Sequence, residues 1–458
     1  MDSAKILFIL FSGILFFFIP LFINNVRQYF LALASSLYVF SSGWIFYRYN
    51  GLMFADLPIF GLLILGMISS RRFRWMALPI GLPVLGIVLW GVISSFGAID
   101  QGWALSEVSK YFRMYLLIIC LVHHIQNMRD LRIVLISMLT GLLFQVFLGI
   151  YQWRFGTLGI WFLGERLSGR MRWRTMGTFF VPSFYANYLT MLIPVAFRMF
   201  VYYKSPNLKW IIFFGANFLL GIVALLTTYG RGPWIALSIS IVILILITLF
   251  TSRFKTRIKW TYAVLLLFSL AFSYRYGSKI LGQFGGARHA SYEVRFPQFR
   301  IAGRIIRDNY LLGVGLGNYV LVPYDYMTSE ERTHQMARVH ASIVHNSYFL
   351  MFSETGIPGG VLLVFWFGTI LVTSFKILKA KLYHSLIINL TLGILGGMIA
   401  IMIIFTFSPD IHAYQILYQI SIFSGILMAE QKLLKKAEYR RLRSHQNSQQ
   451  FYSERRSR

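Results

Sequence analysis

Thirteen apolar runs, most of them near twenty residues long, leave this chain little choice of fold. They fall near 6–23, 29–47, 55–70, 77–96, 110–122, 132–152, 183–203, 210–228, 233–251, 260–274, 347–375, 385–407 and 411–430. About twenty residues of helix cross a hydrocarbon core of about 30 Å. Within lipid, every backbone N–H and C=O must be paired inside a helix or a closed barrel. A transmembrane barrel needs short alternating strands, which long uniform runs exclude. Charged residues are only 13% of the 458, against about a quarter in soluble proteins. The reading is an all-α, polytopic integral membrane protein. It has 12 or 13 transmembrane helices and one large outer, periplasmic loop carrying short helices.

The net charge of +28 helps to orient those helices. Basic clusters favour the cytoplasmic side. They are Arg71-Arg72-Phe73-Arg74, Lys204 with Lys209, the run 253–259, and Lys376 with Lys379 and Lys381. The tail after Glu430 is polar and basic, and reads as cytoplasmic and disordered. Alternation then puts 97–109, 153–182, 229–232, 275–346 and 408–410 outside. The chain divides into N-terminal transmembrane helices (1–174), a central set (175–274), the periplasmic loop (275–346), C-terminal transmembrane helices (347–430) and a basic cytoplasmic tail (431–458). Thirteen spans leave the N-terminus outside and twelve leave it inside, where Lys5 weakly favours it. The first run is followed by no small-residue cleavage site and reads as a span. The stretch 103–110 reads as a short interfacial helix. Positive charge scattered between spans is no footprint for nucleic acid. A single cysteine, Cys120, excludes an intrachain disulfide.

Outer segments should be poor in arginine, and here they are not. Arg166, Arg170, Arg172 and Arg174 precede one span, and Arg231 sits at the mouth of another. The large loop holds Arg275, Lys279, Arg288, Arg295, Arg300, Arg304 and Arg307. The planar guanidinium fork pairs bidentately with phosphate oxygens, so this excess points to an anion. The competing reading is a basic surface facing lipid headgroups. Arg231 would cost at least about 2.5–3.5 kcal/mol in hydrocarbon. It belongs at an interface or a polar cavity, where Gly230 and Gly232 remove bulk and Pro233 suits a first helical turn. Arg300, Arg304 and Arg307 share one face of a helix over 296–309, read as amphipathic and lying on the outer membrane face. Gly313-x-Gly315-x-Gly317 lacks the strand of a nucleotide fingerprint and reads as a tight turn.

His345 follows His340 and precedes Asn346 at the start of a span. Neutral imidazole takes a proton near pH 7, which suits a general base for a sugar hydroxyl, and a positive surround disfavours imidazolium. No HExxH set and no Asp-x-Asp pair is present, so neither a metal nor another cofactor is expected.

Four stretches, in order, resemble the O-antigen ligase and O-antigen polymerase family of bacterial membrane glycosyltransferases. His345-Asn346, nine residues, Gly356, two residues and Gly359 is similar to its signature. Met176-Gly-Thr-Phe179 running to Pro182-Ser-Phe-Tyr-Ala186-Asn-Tyr-Leu189 resembles a second stretch, with Ser183 where asparagine is usual. Gly230-Arg231-Gly-Pro-Trp234 resembles Ser-Arg-Gly-Ala-Trp. Arg295 with Asn309-Tyr-Leu-Leu-Gly313-Val-Gly-Leu-Gly317-Asn318 resembles a fourth. The resemblance covers roughly 174–362.

It implies a metal-independent enzyme in the bacterial cytoplasmic (inner) membrane. A glycan on undecaprenyl pyrophosphate is transferred at the outer face to an acceptor hydroxyl of lipid A–core or of another lipid, glycan or protein. Arg231 and Arg295 would hold the pyrophosphate, with Arg174 a weaker candidate, and His345 would activate the acceptor. Attack opposite the leaving group would invert the anomeric centre. A polymerase of the same family would share these residues and differ in its acceptor. A flippase for lipid-linked sugars would instead show inverted repeats and broken helices near the bilayer midplane.

Overall fold

The computed structural model describes residues 25–40, 55–69, 79–156, 174–179, 181–202, 207–250, 295–333, 343–380 and 384–456. The runs expected at 6–23 and 260–274 lie outside them, as do Lys5, Arg166, Arg170, Arg172, Arg275, Lys279, Arg288, His340 and the cluster 71–74. The described residues form helices and no strand. In chain order these are α1 (Val26–Ser36), α2 (Asp56–Ser69), α3 (Gly81–Ser95), α4 (Gln101–His124), α5 (Met128–Phe155), α6 (Pro182–Tyr202) and α7 (Leu208–Thr227). Then follow α8 (Arg231–Phe250), α9 (Arg295–Asp308), α10 (Ser329–Thr333), α11 (Ser347–Lys379), α12 (Ser385–Ile404) and α13 (Tyr414–Arg456). Among the described residues, 6 helices, α5, α6, α7, α8, α11 and α12, are long and apolar enough to cross a membrane. This is a multi-pass, all-α membrane protein.

Local sequence explains where the helices start. Asn25, Asp100, Asn127, Asn207 and Asn346 each precede a helix and accept hydrogen bonds from its first amides. Those donors have no partner within the helix, so a side-chain oxygen there is stabilising. Packing then closes the bundle. α12 lies against α6, where a methyl group at Gly397 would collide with the Met191 carbonyl. Small residues let membrane helices approach to backbone contact. The first turns of α13, through Glu430, are buried and pack on α4, α6 and α11.

Two expectations change. The stretch 103–110 is not a separate interfacial helix but the first part of α4. Its charged residues Glu107 and Lys110 are paired with each other at 2.5 Å. The tail is not irregular: α13 runs unbroken to Arg456, with no proline or glycine after Gly425 to stop it.

The segments read as outer meet at one end of the bundle. Asp100 donates its amide to the Asn318 side chain at 2.7 Å. Thr175 and Thr227 share a 2.8 Å hydroxyl contact, and the Ser347 amide reaches the Phe405 carbonyl at 2.9 Å. At the other end, the Lys432 ammonium reaches the Val122 carbonyl at 2.7 Å.

Candidate active site

Arg231 opens α8, directly after a turn held in an uncommon backbone conformation. Tyr229 has φ +53°, which a non-glycine side chain adopts only at a cost. The Gly230 amide donates to Thr228 Oγ1 at 3.2 Å, and Trp234 Nε1 donates back to the Leu225 carbonyl at 3.0 Å. Arg174 grips the same turn, its Nε donating to the Thr228 carbonyl at 2.7 Å. Arg174 is placed by the turn that follows it. Gln152 Oε1 accepts the amides of Met176 (3.2 Å) and Gly177 (2.9 Å), and Gln145 Oε1 accepts that of Thr178 (3.1 Å). Two glutamines of α5 and Thr227 of α7 therefore fix Arg174 on the turn that leads into Arg231.

Arg295 opens α9, and Gln298 one turn later is buried. Gln298 Oε1 lies 3.3 Å from the His345 backbone nitrogen and 3.1 Å from His345 Nδ1. The helix expected over 296–309 is there, and its residue Gln298, one turn after Arg295, ties it to His345. Its apolar side, Ile301, Ala302 and Ile305, is buried, and the helix packs on α11 rather than presenting that side to lipid. Phe299 stacks on Phe349 with centroids 5.5 Å apart. Arg304 forms a bidentate pair with Glu331 at 2.8 and 2.9 Å, and Arg300 lies 3.9 Å from the same carboxylate. Arg304's hydrogen bond holds the Glu331 carboxyl down at about 2. Arg304 serves an internal carboxylate rather than an outside anion.

A strap of residues 405–412 connects the two arginine sites. The Asn346 side-chain amide donates to the Thr406 carbonyl at 2.9 Å, and Ser347 Oγ to that of Ser408 at 2.6 Å. Phe407, between them, fills the space that a Cβ on Gly232 would need, next to Arg231. Further along, Asn187 of the Ala186-Asn-Tyr stretch donates to Asp410 Oδ2 at 2.5 Å. The strap ends at His412, whose Nε2 lies 2.6 Å from Glu354 Oε2. Glu107 is 3.8 Å from His412 Nδ1, and Lys110 Nζ donates to the His412 carbonyl at 3.2 Å. Burial works against the imidazolium of His412, but the Glu354 carboxylate and then Glu107 outweigh it and raise its pKa.

The glycine turn seats this array. The amides of Val314 and Gly315 donate to the carbonyls of Ser353 (3.0 Å) and Glu354 (2.8 Å). The turn is structural, as its sequence context implied.

Residues 216–364 match the family model described as O-antigen ligase. This part of the chain is an O-antigen ligase family domain. It contains Arg231, Arg295, Gln298 and His345, while Arg174 and the strap lie outside the matched stretch. No curated protein matches the chain. Gln298, Glu354, Asp410 and His412 join the site only through the fold. The position of Gln298, three residues after Arg295 and otherwise among apolar neighbours, was the available signal.

Proposed function

We propose that this O-antigen ligase domain works as a metal-independent, inverting glycosyltransferase at the outer face of the bacterial cytoplasmic membrane. The donor is a glycan on undecaprenyl pyrophosphate, and the acceptor is a hydroxyl of lipid A–core or of another lipid, glycan or protein. The observation that carries the reading is the pairing of His345 with Gln298, one turn from Arg295, at the bundle end that also holds Arg174 and Arg231. Arg231 stands at a helix N-terminus, where the backbone dipole also favours an anion.

The chemistry follows from charge. As the bond between the anomeric carbon and the phosphate oxygen breaks, its electron pair leaves with the pyrophosphate. Fixed guanidinium groups stabilise charge developing there. His345 takes the acceptor's proton while the acceptor oxygen forms the new bond on the opposite face. A ligase and a polymerase differ here only in which hydroxyl is presented.

The test measures transfer and donor binding separately, with lipid A–core and with a lipid-linked repeat unit as acceptors, in EDTA. Arg295→Lys should lose transfer nearly as fully as Arg295→Ala, by about 100-fold, because lysine keeps the charge and loses the fork. His345→Ala and His345→Gln should lose transfer and keep donor binding. A fully active His345→Gln variant removes the base, and an Arg295→Lys variant with parental activity removes the bidentate grip.

A further inference from the structure

His345 and Gln298 are joined by two contacts to one atom, and that fixes more than position. The His345 backbone N–H can only donate, so the Gln298 atom 3.3 Å from it is the amide oxygen. The same oxygen lies 3.1 Å from His345 Nδ1 and can only accept there. Nδ1 therefore carries the proton, and in the neutral ring the lone pair sits on Nε2. This is the less populated tautomer of a free histidine in water, so the buried amide selects it.

We propose that Gln298 is a positioning residue that locks His345 in the Nδ1–H tautomer and aims Nε2 at the acceptor hydroxyl. The proposal rests on the glycosyl-transfer reading above. In the step itself, the acceptor proton moves to Nε2, the acceptor oxygen bonds to the anomeric carbon, and the bond to pyrophosphate breaks with its electron pair. The resulting imidazolium keeps its Nδ1–H on the amide oxygen. A carboxylate in that place would orient the ring equally well, but it would also favour the imidazolium before the reaction. The neutral amide supplies direction without that charge. Among the described residues, the charged groups on the elements around this pair include Arg295 and Arg300 on α9, the Arg304–Glu331 pair between α9 and α10, Arg231 next to Phe407, and Asp410 on the strap. Buried at 3% exposure, Gln298 is held on α9 by the packing of Ile301 and Ile305.

Two variants and one spectroscopic reading test this on the full chain in detergent. Gln298→Met keeps the volume and removes the acceptor. It should lower kcat about 10–100-fold, as loss of an orienting partner does, with donor KM within about twofold. Gln298→Glu keeps both hydrogen bonds. It should retain transfer and raise the acid limb of the pH–rate profile by about 1 in pH. Nitrogen-15 spectra of the histidines, with His345 assigned by its loss in His345→Gln, read the tautomer without any substrate. A protonated Nδ1 and an unprotonated Nε2 are expected in the parent, and the reverse in Gln298→Met. A parental Nε2–H tautomer overturns the proposal, and so does a Gln298→Glu acid limb that does not move. The expected spectra with no glycan transfer by the parent would leave the tautomer lock standing and remove the enzymatic reading instead.

Discussion

Asp410 is buried to 4% exposure on the strap, with Asn187 and Ser408 as its hydrogen-bond partners. Burial pushes its carboxyl up to about 6, and those two hydrogen bonds only partly oppose it. In the unfolded chain this group ionises near 3.8. Between there and about 6 the unfolded state sheds a proton that the folded state keeps, so stability falls as pH rises. Above about 6 both states are ionised and the penalty levels off. An amide at the same place accepts from Asn187 and has nothing to ionise. A tenfold change in proton affinity between folded and unfolded chain is worth about 1.4 kcal/mol. Asp410→Asn should therefore stabilise the protein by roughly 2–3 kcal/mol at pH 8. The gain should shrink towards zero at pH 4. Thermal unfolding in detergent across that range checks it. A pH-independent difference would mean that burial of the carboxylate carries no penalty.

At the scale of elements, α11 is two helices joined at Gly356, whose φ is +67°. The first piece carries Asn346 to Glu354 past the strap, and the second continues to Lys379. The break lets the Ile357 amide reach the Tyr310 carbonyl at 2.7 Å, while any Cβ on Gly356 would strike the Leu311 carbonyl. Gly356→Ala should cost at least roughly 1–3 kcal/mol from the backbone conformation alone. Gly368→Ala, at a helical position with open space around it, should be neutral or stabilising. Melting temperatures of the two variants separate a required kink from a general dislike of alanine in α11. Much of this architecture is legible in the sequence. The helix over 296–309, the glycine turn and the histidine at a span's mouth announce themselves through local periodicity and turn chemistry. The pairings that complete the site do not. Gln298 meets His345 across 47 positions, and Glu354 meets His412 across 58. Within one segment each is a polar residue among apolar ones. Glu107 and Lys110 misled for the same reason: their charges suggested a water interface, whereas His412 and each other make a continuous helix tolerable.

On the scale of the whole molecule, alternation of basic and arginine-rich segments predicts which ends of the helices meet. The hydrogen bonds group them that way, with the Asn318, Thr175, Phe405 and Asp410 segments at one end and Lys432 with Val122 at the other. Contacts alone do not say which end faces the cytoplasm. The positive-inside bias predicts that it is the end where α13 carries Lys435, Lys436, Arg440, Arg441 and Arg443 beyond the buried part of the bundle. Tyr310 is 60% exposed at the candidate-site end, and Leu442 is 59% exposed on the far extension of α13. The one native thiol, Cys120, is buried and gives a quiet background. A membrane-impermeant maleimide should label Tyr310→Cys in spheroplasts and leave Leu442→Cys untouched until the membrane is opened. Labelling in the reverse order would put His345 and the arginines in the cytoplasm. A lipid-linked glycan outside the membrane could then never reach them, and the proposed transfer would fail on topology whatever the geometry of the site.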